Sequence, residues 1–145
     1  MIQSLLQRLL APAPARLPDP DARLALAALL VRIARTDGLY AAEEVARIDR
    51  ILMARHALSP FEAADLRATA EELEVHAPDT IRFTRALKEA TAVEDRASLL
   101  RAMWSVVVVD GQRDAAEEQL MRLVAHLLGL TDVESALARQ QADRA

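Results

Sequence analysis

The stretch Met103–Glu118, MWSVVVVDGQRDAAEE, can be read in two ways. Four consecutive valines running into Asp110-Gly111 resemble a β-strand entering a hairpin turn, while the acids that follow resemble a cation site or the first turn of a helix. A second copy of the same pattern decides between them. Sliding the chain by 73 positions aligns LALAALLVRIARTDGLYAAEEVARIDRIL, from Leu24, with ASLLRAMWSVVVVDGQRDAAEEQLMRLVA, from Ala97, without a gap. Asp37 falls on Asp110, Gly38 on Gly111, Glu44 on Glu117 and Ile48 on Met121. In the first copy Arg32 and Arg35 stand three apart before the Asp-Gly pair, which suits a helix surface and not a strand face. The valine tract is therefore expected to be helical. Its β-branched residues lower helix propensity by roughly a few tenths of a kcal/mol each, whereas burying a valine side chain gives about 1.5–3 kcal/mol. Packing wins, and a helix apolar on nearly every side from Leu99 to Val109 belongs at the centre of a bundle. A hairpin would also need a second alternating run after the turn, and QRDAAEEQL is not one.

The rest of the chain reads as helix as well. Ile2, Leu5, Leu6, Leu9 and Leu10 have helical spacing, so residues 2–10 form a short amphipathic helix expected to dock on the core. APAPARLPDP then holds four of the six prolines and reads as a stiff linker. This divides the chain into an N-terminal helix and linker over residues 1–20 and a helical domain over 21–145. In SPFE, Ser59, Pro60 and Glu62 make a capping box that starts a helix running to about His76, and Thr131 and Glu134 repeat that logic before the last helix. Ile81, Phe83 or Thr84, and Leu87 are expected to point inward. The fold class is all-α: a single bundle of about seven helices, containing two pseudo-symmetric hairpins of helix, Asp-Gly turn and helix. These are expected to pack about an approximate twofold axis, with residues 59–90 bridging them.

Composition narrows the function. The 145 residues include no cysteine, so disulfides and thiolate metal sites are excluded and a cytoplasmic protein is the plain expectation. A net charge of −4 without a basic stripe argues against nucleic acid as a partner. No apolar run approaches the ~20 residues that cross a bilayer. Glu-x-x-His pairs, nucleophile elbows and phosphate loops are all missing, so no enzyme is expected. His56 and His76 suit helix ends, and Trp104 suits the core.

The acids at the two turns carry what chemistry there is. Asp37, Glu44, Asp110, Asp114 and Glu117 offer only oxygen donors, which suits a hard divalent cation such as calcium or magnesium if folding brings the turns together. The leading expectation, to which the cation site is the alternative, is that Asp37, Tyr40, Glu43, Asp110 and Glu118 form an acidic face for a protein partner. In the plainest alternative the same acids cap turns and complement helix N-termini, with Arg47, Arg113 and Arg122 as compensating charges.

The duplicated apolar helix, Asp-Gly, five intervening residues and Glu resembles the TerB-like family, the tellurite-resistance TerB domain. Asp37, Gly38 and Glu44 carry it in one copy and Asp110, Gly111 and Glu117 in the other, supported by RHALS after the first and LLGLT after the second. The resemblance covers about residues 20–140. It implies an all-α bacterial cytoplasmic protein without enzymatic activity, linked to tellurite or other stress responses, often through membrane-associated complexes. The first copy departs from the second in having no counterpart to Asp114.

Overall fold

The structure is a computed structural model and describes residues 2–10, 19–76, 80–109 and 114–143. Among these the chain forms eight α-helices and one 3₁₀ turn, Val93–Asp95, and no strand. The helices are α1 (Ile2–Leu10), α2 (Asp19–Arg35), α3 (Ala42–His56), α4 (Pro60–His76), α5 (Thr80–Ala90), α6 (Arg96–Val108), α7 (Ala115–Leu127) and α8 (Asp132–Asp143). The valine tract is helical, with Val106 and Val107 buried in α6 alongside Leu99, Leu100, Met103 and Trp104. Of the inward residues expected in α5, Phe83, Thr84 and Leu87 are buried. Ile81 is not: it lies at the helix start and is 40% exposed.

The most enclosed helix is α2, not α6. Every residue from Leu24 to Val31 is buried, and α2 packs against α3, α4, α5, α6 and α7. Ala25, Ala27, Ala28 and Ala34 explain this, because small side chains let neighbouring helices approach on several sides. The N-terminal helix docks as expected, with α1 against α5 and Leu5 fully buried.

The repeat is larger than a hairpin. Each hairpin's first helix packs extensively on the helix that follows the hairpin, α2 on α4 and α6 on α8. The corners before these partner helices also match. Leu58 N–H donates to Met53 C=O at 3.2 Å, and Leu130 N–H to Ala125 C=O at 2.9 Å. Both corners pass through the left-handed region, at Ala57 (φ 53°) and Gly129 (φ 83°). Reciprocal capping boxes then start α4 and α8: Ser59 Oγ accepts from Glu62 N–H as Glu62 Oε1 accepts from Ser59 N–H, and Thr131 and Glu134 do the same. The unit is thus three helices, α2-α3-α4 and α6-α7-α8; α4 belongs to the first repeat, and of residues 59–90 it is α5, packed on α2 and α7, that bridges the two. Between repeats, α2 meets α6, α3 meets α6 and α2 meets α7. Exchanging the repeats maps this set of contacts onto itself.

Candidate metal centre at the junction of the repeats

In the first repeat the site begins where α2 stops. Gly38 N–H donates to Arg35 C=O at 3.0 Å, and the chain turns at φ 82°. A Cβ at Gly38 would meet nothing within 4 Å, so glycine is needed for its backbone conformation and not for space. Asp37 Oδ1 accepts from Leu39 N–H at 2.8 Å, closing a local turn. Glu44 is the third residue of α3, and its Oε1 accepts from Ala41 N–H at 3.0 Å. It shares a face with Ile48 and Leu52, at i+4 and i+8, and these apolar side chains draw that face into the core. In the second repeat Asp114 caps α7, its Oδ1 accepting from Glu117 N–H at 3.0 Å. Glu117 precedes Met121 and Val124 on the buried face.

The two repeats therefore carry equivalent glutamates into the same interior. Glu44 and Glu117 are each 1% exposed. One carboxylate oxygen from each, with one from half-buried Asp37, lies within 4.8 Å of the others. Like charges at ~4 Å repel by roughly 1 kcal/mol in water and about 4 kcal/mol in a partly buried setting, and each buried carboxylate adds a desolvation cost. The positive N-terminal ends of α3 and α7 offset part of this. Arg47 and Arg122 form no ion pair among the described residues, and Arg113 lies outside them.

The other residues singled out above take different places. Asp110 lies outside the described residues. Asp114 is not one of the three converging acids. Glu43 is exposed in the first turn of α3. Glu118 points to α8, where its Oε1 accepts from Arg139 Nη1 at 2.8 Å. Tyr40 lies beside residues of α2 and α4. Its ring lies 5.0 Å from the Arg35 guanidinium, and burial, then Glu71, push its phenol well above the usual range. A charged network beside the site escaped the sequence reading. Glu74 receives Arg32 at 3.3 Å and Arg35 at 2.9 Å, and Arg67 joins Asp49 at 2.6 Å and Glu71 at 3.1 Å. Only the i,i+4 spacing of Arg67 and Glu71 hinted at it. Of the histidines, His76 is exposed at the end of α4, whereas His56 is half-buried at the end of α3 and its Nε2 is wholly shielded from solvent.

Fold and site together define an all-α domain of two three-helix repeats with acids buried where the repeats meet. The family model for Tellurite resistance protein TerB matches residues 23–140, and the chain belongs to the TerB family. No curated protein and no solved structure matches it. No helix among the described residues is long and apolar enough to cross a membrane.

Proposed function

We propose that this TerB-family domain is a non-enzymatic module that binds a hard divalent cation between its repeats, with Asp37, Glu44 and Glu117 as ligands. The convergence of one nearly inaccessible glutamate from each repeat on a shared aspartate supports it. The donors are all carboxylate oxygens, which suits magnesium, manganese or calcium more than zinc or copper, with water completing the shell. A cation there neutralises charge at the contact between repeats and so ties ion binding to fold stability. In the tellurite-resistance setting that names the family, the domain then responds to ion supply without turning over a substrate.

Thermal melts in chelator and in magnesium, manganese or calcium test this. A cation at about a hundred times its dissociation constant adds about 2.7 kcal/mol, which is roughly 5–10 °C in a chain of this size. Glu44→Gln and Glu117→Gln are expected each to abolish the rise. No rise with any of the three ions at millimolar levels would refute the proposal. A protein-docking face is a second reading, favoured by exposed Glu43 and by Leu39, 66% exposed beside the Asp37 turn. It predicts that Leu39→Ser with Glu43→Lys abolishes partner capture and leaves the cation response intact.

A further inference from the structure

At the far end of α2 from Asp37 lies a second site of opposite charge. A cleft of about 380 Å³ opens between the start of α2, the end of α3, the end of α5 and the 3₁₀ turn before α6. Its volume falls in the range of small-molecule pockets. Leu26 and Leu87 form part of an apolar wall, and the charged lining groups are Arg23, Arg55, His56 and Asp95. Arginines therefore outnumber acids here in a protein whose net charge is −4.

The donors are largely uncommitted. Arg23 forms no ion pair or hydrogen bond among the described residues. It also borders a neighbouring groove lined by Glu62 and Asp65, and pairs with neither. Arg55 donates from Nη1 to Ser98 Oγ at 3.2 Å and feels Asp95 without forming an ion pair with it. His56 Nε2 is buried with no hydrogen-bond partner, a costly state for a polar atom unless something else supplies the bond. Helix ends do not decide the sign of the field, since two N-termini (α2, α6) and two C-termini (α3, α5) border the cleft. The side chains do.

We propose that this cleft binds a small organic anion, its carboxylate or phosphate head between Arg23, Arg55 and His56 Nε2 and its apolar body against Leu26 and Leu87. Arginine suits either head group through paired N–H donors. Burial, then Arg23, then Arg55, hold the His56 imidazole below its ordinary pKa in the free protein. A bound anion opposes the two arginines, so binding takes up a proton and tightens as pH falls.

Benzoate and phenyl phosphate, with benzamide as the uncharged control, test this on the full chain by following the His56 ring resonances. Expected are saturable shifts at millimolar anion, a rise in the His56 pKa on binding, and no response to benzamide. Arg55→Gln and, separately, Arg23→Gln weaken binding about tenfold or more each, as loss of a charged hydrogen bond does. Arg122→Gln, which lies outside the cleft, leaves it unchanged. Saturation by only one of the two anions supports the proposal and assigns the head group. Benzamide binding as well as benzoate, or no saturation by either anion, overturns it.

Discussion

The two repeats share one blueprint but begin their second helices by opposite halves of the same capping device. At the start of α3, Ala41 has no side-chain acceptor; its carbonyl takes the Glu44 N–H at 3.1 Å, and the Glu44 carboxylate reaches back to the Ala41 N–H. At the start of α7 an acid fills the cap, and Asp114 takes the Glu117 N–H. Glutamate recurs in both repeats, while the cap residue varies. The repeated glutamate is therefore fixed by the buried face it occupies and by what meets it across the junction, and the cap is an interchangeable local solution.

The comparison can be broken most severely in the core. Leu30 in α2 and Met103 in α6 are repeat equivalents and both fully buried, so Leu30→Ala and Met103→Ala should each cost about 2–5 kcal/mol in urea denaturation. Both variants should unfold in one transition. Two separated transitions would show that the repeats are independent units and not halves of one core.

Next in size are the left-handed corners. Gly129→Ala forces a side chain into a conformation that costs about 1–2 kcal/mol, and the added Cβ would meet only the end of the Lys88 side chain, Cε at 3.8 Å and Nζ at 3.9 Å, both ordinary contacts, so the loss is one of backbone alone. Ala57 already bears that strain at φ 53°. Ala57→Gly should raise the melting temperature by the equivalent of roughly 0.5–1 kcal/mol, the gain being trimmed by a more flexible unfolded chain. Equal destabilisation by both substitutions would mean that the corners are not equivalent.

The caps come after these. Asp114→Ala should cost about 1 kcal/mol, and Ala41→Ser should add about 0.5 kcal/mol by giving α3 the side-chain acceptor it lacks. Chemical denaturation of the two variants against the parent measures both.

The smallest effect concerns His56. Because its folded-state pKa lies below the ordinary 6.5, the fold favours the neutral imidazole. That contribution is complete above the unfolded value and is lost as pH falls below it. Melts at about pH 7.5 and about pH 5.5 should show a larger drop for the parent than for His56→Gln. An unchanged drop would mean that the imidazole is as easily protonated in the fold as out of it.

Much of the fold was legible because periodicity is local. Glu44 and Ile48, or Ser59 and Glu62, lie within a turn or so of each other, so helix faces and capping boxes follow from spacing alone. The extra helix in each repeat was not legible. RHALS and LLGLT match at an offset of 72, one less than the hairpins, and beyond their capping boxes α4 and α8 share at that offset only Ala64 with Ala136, Arg67 with Arg139 and Ala70 with Ala142. In the candidate site, Asp37, Glu44 and Glu117 were legible as chemistry but not as a cluster. Nor could spacing show that Asp114 and Glu118 are taken up by a cap and by Arg139. The Arg23–Arg55–His56 cleft joins residues that no motif connects.

The amino-acid order by itself determined that the valine tract is helical, that the Asp-Gly pattern occurs twice and that a glutamate follows each copy at the same spacing. Only the tertiary structure decided that α2 is the enclosed helix and that the two glutamates meet. Helical spacing fixes which face a residue occupies, because that depends on neighbours three or four positions away. Which faces then pack together depends on side-chain volume and shape summed over helices far apart in the chain, and no local pattern contains that sum.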